Sequence, residues 1–181
     1  LRYLADFYRI SLNKGREVIS VEEELDLLKN YMKIQKIRFG EDVSIHYEAD
    51  EDALQCRTIK LILQPLVENS IMHGFRKKTQ ECCISIEIRE RENGVFLEVM
   101  DNGEGMEEEQ LEVLQMELSR IREKPMEKIT DTVHIGIRNV VQRLHLEYGE
   151  AFRFRITSNA GYGTRIEMTI PKESISEGQY V

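Results

Sequence analysis

The sequence predicts an α+β fold: a two-layer α/β sandwich in which a mixed β-sheet carries helices on one face. Three observations lead there. The alternating segments "CCISIEIRE" and "VFLEVMD" flank an Asn-Gly pair and have the form of a β-hairpin. The segments "AFRFRITS" and "TRIEMTI" form a second hairpin around "NAGYG". Amphipathic helical stretches precede, separate and follow the first hairpin, and such an order places helices together against one side of a sheet.

The elements can be justified in turn. Leu1, Leu4, Tyr8 and Leu12 recur at helical spacing with Phe7 beside them, and "NKG" stops this first helix at Gly15. Ser20 and Glu23 make an S-x-x-E capping box that opens a second helix, running to about Phe39 before Gly40. On it Leu25, Leu28 and Met32 form one stripe and Leu27, Tyr31 and Ile34 a neighbouring one. Residues 43–49, "VSIHYEA", alternate as a strand. Residues 58–73 predict a helix ending at Gly74, with Pro65 either kinking it or marking a late start. At 100° per residue, Leu63, Leu66, Val67, Ser70 and Ile71 share one face, and Pro65, Glu68, Asn69, Met72, His73 and Arg76 the other. After the first hairpin comes an acidic helix with Leu111, Leu114, Leu118 and Ile121 in one stripe. Residues 122–135 predict a loop, and "IGIRNVVQRLHLEYG" a further helix opening just after Gly136. The tail from Pro171 is expected to fray.

A chain of 181 residues suits one domain with a helical appendage, and 41% hydrophobic residues suffice for a sizeable core. A net charge of -8 argues against a nucleic-acid-binding surface, which depends on clustered Lys and Arg. Three cysteines, two of them adjacent, make no disulfide framework and point to a reducing compartment. No run approaches the roughly 18 consecutive apolar residues of a membrane span. The chain opens without an initiator Met, so a fragment of a longer protein is expected.

Four segments could carry chemistry. "DNGEGM" (101–106) follows a strand, and its glycines at 103 and 105 permit tight turns and close approach of a ligand to the backbone. Asp101 could accept a hydrogen bond from an exocyclic amine, although Asp-x-Gly-x-Gly also occurs in ordinary turns and Ca²⁺ loops. "HIGIRN" (134–139) sets Gly136 at a helix start, where unsatisfied N–H groups suit phosphate. "GYGT" (161–164) is a hairpin turn with Thr164 beginning the strand. Glu68 and Asn69 supply a carboxylate beside a carboxamide oxygen, the oxygen chemistry that Mg²⁺ takes. Glu68 could orient an attacking group or take its proton, and His73 could add a donor toward phosphate.

In this order the four segments resemble the N, G1, G2 and G3 boxes of the ATP-binding (Bergerat) fold shared by histidine kinases, DNA gyrase, Hsp90 and MutL. Within that superfamily, "ISVEEELDLLKNYMKIQKIRFG", "LILQPLVENSIMHG" and "GIRNVVQRLHLEYG" are similar to the runs of sensor histidine kinases of the LytS/YesM type. The resemblance spans roughly residues 1–171. It implies Glu68 as the catalytic or orienting carboxylate, Asn69 as the Mg²⁺ ligand and Asp101 as acceptor for the adenine amino group. It further implies that Gly103, Gly105 and Gly136 shape the nucleotide loops and that Thr164 borders the adenine pocket, with residues 107–133 as a mobile ATP lid. Two departures stand out: His134 occupies the place of the first glycine of the G2 box, and none of the four histidines lies in an acceptor-like run.

The expected organisation is a helical segment at 1–40 ending a dimerisation and phosphotransfer region, an ATP-binding domain at 41–171 and a tail at 172–181. The expected function is the catalytic portion of a sensor histidine kinase using ATP and Mg²⁺, with the acceptor histidine upstream. Its expected partners are a second subunit and a response regulator, without nucleic acid; a membrane enters only through an upstream region, and the portion itself is cytoplasmic. Two rivals are an ATP hydrolase or clamp on the same fold, and a nucleotide-sensing dimerisation module without catalysis.

Overall fold

The computed structural model describes residues 18–39, 43–75, 81–124 and 134–172; the helix expected over 1–12, Arg76 and the tail beyond Lys172 lie outside them. The described elements are β1 (Val18–Ser20), α1 (Val21–Phe39), β2 (Val43–Ala49), the short α2 (Glu51–Leu54), β3 (Arg57–Ile59), α3 (Leu63–Asn69), a π-helical turn (Ser70–Gly74), β4 (Cys82–Arg91), β5 (Gly94–Asp101), α4 (Glu108–Glu123), α5 (Ile135–Tyr148), a 3₁₀ turn (Gly149–Ala151), β6 (Arg153–Asn159) and β7 (Gly163–Ile170). Five strands form one mixed sheet in the order β2-β4-β5-β7-β6. Only β2 and β4 run parallel; the other neighbours are antiparallel. The expected α+β architecture is present.

The sheet's two faces follow from period-2 alternation. Ile84, Ile86 and Ile88 of β4, Val95, Leu97 and Val99 of β5, and Ile166, Met168 and Ile170 of β7 are buried. Helices cover this face through Leu25, Leu28 and Met32 of α1, Leu63, Leu66 and Val67 of α3, Leu114, Leu118 and Ile121 of α4, and Val140, Val141 and Leu144 of α5. Truncating one of these fully buried leucines to alanine costs about 2–5 kcal/mol through lost transfer energy and an unfilled cavity. The opposite face is charged: Arg89 pairs with Glu48, with Glu87 at 2.9 Å and with Asp50 at 3.2 Å.

Local signals act as expected at α1, where Ser20 N donates to Glu23 Oε2 at 2.8 Å and Glu23 N to Ser20 Oγ at 3.0 Å. Elsewhere tertiary pairing changes the boundaries. The helix expected over 58–73 is shorter. Thr58 and Ile59 belong to β3, which pairs antiparallel with β1 in a separate two-stranded sheet, and Leu61 takes a left-handed φ of 59° before α3 begins. Pro65 thus marks a late start; it sits in the first turn, where an amide has no intrahelical acceptor to lose. The first hairpin closes at the pair Arg91↔Gly94, so its two turn residues are Glu92 and Asn93. Helix α5 starts at Ile135, making Gly136 its second residue.

The segment expected as the lid contains the expected acidic helix. Residues 108–123 are a helix docked in the core by Leu114, Leu118 and Ile121. Glu117 pairs with buried Arg138 of α5, and Gln115 Nε2 donates to the Ile156 carbonyl at 3.2 Å. Residues 125–133 fall outside the described set.

Candidate nucleotide site

The core face of the sheet is apolar except at one end. Alternation continues past Val95, Leu97 and Val99 to place Asp101 on the helix side, 6% exposed. Thr164 continues the buried row of β7, and Ser158, its cross-strand partner, continues that of β6. Three polar side chains therefore line up across adjacent strands where isoleucines would otherwise stand.

Each has its partners. Asp101 Oδ1 accepts from Gly103 N at 2.8 Å and Thr164 N at 3.2 Å, and its Oδ2 accepts from Ser70 Oγ at 2.6 Å. An ionised carboxylate offers about four acceptor positions. Three are used within the chain, which leaves a second lone pair on Oδ2. Ser158 Oγ lies 2.9 Å from Thr164 Oγ1, accepts from Met106 N at 2.9 Å and donates to the Gly163 carbonyl.

Close backbone approaches explain two of the glycines. A Cβ on Gly163, where φ is 103°, would stand 2.0 Å from the Asp101 carbonyl oxygen. A Cβ on Gly105, at φ 67°, would stand 1.9 Å from the Asn159 carbonyl oxygen. The loop after β5 is also fastened to the π turn, since Glu104 N donates to the Gly74 carbonyl at 2.7 Å and Gly103 lies against Gly74.

The other end of the site is α3. Asn69 is buried, with its Oδ1 2.8 Å from His134 Nδ1. Glu68 is half-buried, and its Oε1 accepts from Gln64 Nε2 one turn earlier at 2.8 Å. His73 is exposed, its ring centroid 5.0 Å from that of His134. His134 itself adopts φ 53°, ψ 29°, a left-handed conformation that glycine takes without steric cost. Gly136 has an ordinary φ and a packing role, because a Cβ there would lie 3.1 Å from the Pro65 carbonyl oxygen on α3. Ile137 and Arg138 N both donate to the His134 carbonyl, at 3.1 and 3.3 Å, so the helix itself leaves the Ile135 and Gly136 amides for other acceptors.

All four sequence segments thus meet around α3 and its π turn: 101–106 through Ser70 and Gly74, 134–139 through Asn69 and Pro65, and 161–164 through Asp101. Among the described residues no cluster of three or more His, Cys, Asp or Glu side chains could hold a metal alone. The Asn69 carboxamide oxygen and the Glu68 carboxylate are oxygen donors of the kind Mg²⁺ would take, an ion that needs only one or two protein oxygens. A cavity of about 700 Å³ adjoins the site on the Ser158 side, between Met106, Glu107, Leu111, Ser158, Asn159 and Tyr162; Glu68, Asn69, Asp101 and Thr164 do not line it.

Two contributors are absent from the sequence reading. Ser70 lies on the packing face as expected, buried and in helical conformation, and from there its hydroxyl donates to Asp101, a contact the helical pattern does not announce. Ser158 carries no motif; its only signal is the alternation with Ile156 on a strand facing Thr164.

Residues 54–174 match the model of the histidine kinase-, DNA gyrase B- and HSP90-like ATPase family. The chain belongs to that family. Residues 1–43 also match the histidine kinase family model. Among curated relatives, the sensor histidine kinase YesM of Bacillus subtilis is 34% identical over 163 residues, 90% of this chain and 26% of the relative. The sensor protein kinase HptS of Staphylococcus aureus is 30% identical over 171 residues, 94% of this chain and 31% of the relative. This ATPase-family chain therefore spans roughly a quarter to a third of the curated relatives it matches. Solved structures share its fold. The histidine kinase domain of the Erythrobacter litoralis EL346 blue-light activated kinase aligns with a TM-score of 0.58 at 15% identity, over 94% of this chain and 76% of that one. The catalytic domain of histidine kinase ThkA aligns at 0.57 and 18% identity, over 86% of this chain and 95% of that one.

Proposed function

We propose that this chain is the ATP-binding catalytic portion of a two-component sensor histidine kinase and that it transfers the ATP γ-phosphate to a histidine on an upstream helix. One observation carries the reading. Ser70 joins the two ends of the site, because its hydroxyl reaches Asp101 while its backbone continues directly from Glu68 and Asn69. A nucleotide whose base is held by Asp101 would therefore extend its phosphates toward α3.

The residues then take separate parts. The remaining lone pair of Asp101 accepts the adenine amino hydrogen, while Thr164 and Gly103 keep the carboxylate aimed. Gly105 and Gly136 hold the surrounding loops in close register. Asn69 gives its carboxamide oxygen to Mg²⁺, and His73 supplies a donor to phosphate. When bound, Mg²⁺ offsets charge on the phosphate oxygens. Glu68 keeps one oxygen on Gln64 and presents the other to the acceptor imidazole. As the N–P bond forms and the bond to the ADP oxygen breaks, the imidazole proton passes toward Glu68.

The same reading divides the chain into a segment at 1–40 belonging to the dimerisation and phosphotransfer region, a catalytic domain at 41–171 and a tail at 172–181. It calls for a second subunit and a response regulator aspartate as partners, in the cytoplasm. Among the described residues no helix is long and apolar enough to cross a membrane.

The test is incubation with γ-labelled ATP, alone and with a separately expressed upstream helical segment. The chain alone should bind Mg-ATP without acquiring acid-labile label, and the added segment should become labelled. Acid-labile label on His46 or His145 of the chain itself would overturn the upstream-acceptor assignment. Steady phosphate release without any phosphoprotein would favour an ATP hydrolase, and binding without chemistry a nucleotide-sensing module.

A further inference from the structure

Helix α3 carries Glu68 and Asn69 yet is poorly equipped to hold its own position. It has seven residues, its N-cap residue is Ile62, and no side chain of its own caps it. Isolated helices shorter than about 12–15 residues are marginal in water. The missing acceptor comes from 38 residues away in sequence. Glu24 of α1 is 1% exposed; its Oε2 accepts from Leu61 N at 2.6 Å, and its Oε1 accepts from Ile62 N at 2.7 Å and Leu63 N at 2.8 Å. From the other side, Arg143 of α5 donates to the carbonyls of Lys60 at 2.7 Å and Leu61 at 3.1 Å. The left-handed residue Leu61 is thus clasped between a carboxylate and a guanidinium. Burial pushes the Glu24 carboxyl above its ordinary range, against the pull of the three amides and Arg143.

Asp101 depends on none of this for its two bonds on Oδ1, which come from Gly103 and Thr164. The adenine end is anchored on the sheet through Gly103 and Thr164, with one further bond from Ser70, whereas the metal end hangs wholly on α3. We infer that Glu24 is a positioning residue for the metal end of the site: by capping α3 it fixes where Glu68 and Asn69 stand, and it makes the placement of α1 a determinant of that geometry. The inference rests on the nucleotide-site reading above and adds to it a residue outside every nucleotide box. Because α1 lies within residues 1–43, the stretch matched to the histidine kinase model, movement of that stretch would reach Asn69 through one carboxylate.

The experiment is calorimetry of ATP binding to the whole 181-residue chain, with Mg²⁺ and with a chelator, for wild type, Glu24→Gln and Glu24→Ala. Amide exchange at Leu61–Leu63 and Val67–Ser70 is followed in parallel. Glu24→Ala should reduce the enhancement of ATP affinity by Mg²⁺ roughly tenfold, the size expected when hydrogen bonds to a charged group are lost. Metal-free binding should change less than about twofold. Glu24→Gln keeps an oxygen for Ile62 and Leu63 and opposes a donor to Leu61 N, so its loss should be intermediate, with exchange faster at both stretches. A lower melting temperature with an unchanged Mg²⁺ enhancement would mean a stabilising cap only, and would overturn the inference. Equal losses with and without Mg²⁺ in folded protein would overturn it too. Should Glu24→Ala fail to fold, Glu24→Gln decides by the same ratio. A wild-type chain that binds no ATP removes the functional reading and this inference together, whereas wild-type binding with an unaltered variant ratio removes the inference alone.

Discussion

At one end of the site Asp101 is held by hydrogen bonds from Ser70, Gly103 and Thr164, contributed by three separate segments; at the other, Glu68 is tied to Gln64 and Asn69 to His134. The first end stands on a strand in the middle of a five-stranded sheet, the second on a seven-residue helix followed by a π turn. The difference concerns preorganisation. Asp101 needs no rearrangement to meet a ligand, because the groups that orient it are already in place and one lone pair remains. Asn69 Oδ1 already spends one of its two lone pairs on His134, so a ligand competes with that bond or takes the other. On the proposed reading these would be a rigid base pocket beside an adjustable phosphate end, suited to a reaction in which one substrate is held while the other group arrives.

The comparison can be broken at its base. Gly163→Ala would drive a Cβ into the Asp101 carbonyl at a position with φ 103°, which should cost about 2–4 kcal/mol of stability. Denaturant melts of this variant should shift accordingly; a wild-type midpoint would show that the sheet end is less rigid than its contacts indicate. The next effect separates chemistry from binding. Glu68→Gln should leave the Mg-ATP affinity nearly intact and slow transfer to the upstream helix by about 100-fold, while Asn69→Ala should weaken binding only when Mg²⁺ is present. Transfer by Glu68→Gln at the wild-type rate would remove Glu68 from its proposed role.

A third change sharpens the adenine end. Asp101→Ala leaves the adenine amine without its acceptor in a desolvated place, a loss of about 1–3 kcal/mol. ATP affinity should fall roughly tenfold or more in calorimetry, while GTP, which lacks that amine, should be little affected. Equal ATP affinities in folded wild type and variant would reject the assignment. The smallest effect has the opposite sign. His134→Gly removes the partner of Asn69 and suits the left-handed backbone, so Mg-ATP binding should tighten by about threefold. Weaker binding would mean that His134 assists the site instead of occupying it.

Among the described residues, those features governed by near neighbours were legible before any coordinates. Period-2 alternation located the strands of the five-stranded sheet, the Ser20–Glu23 box located the start of α1, and the spacing of Leu114, Leu118 and Ile121 located the buried stripe of α4. Glu68, Asn69, Asp101 and Thr164 were legible as a set because their boxes are local in sequence. Their mutual geometry was not. Strands β1 and β3 have three residues each and are stabilised by pairing across about forty positions, which overrode the helical pattern at Thr58 and Ile59. Ser70 reaches Asp101 because the packing face of α3 meets the end of β5, and Glu24 replaces a cap that α3 lacks. Sequence alone determined which residues carry oxygen, nitrogen and tight turns, since alternation, capping and glycine conformations are set within a few bonds. Only the tertiary structure decided which of these groups hold one another, because a hydrogen bond between distant residues has no local signature until packing excludes water and brings its partners together.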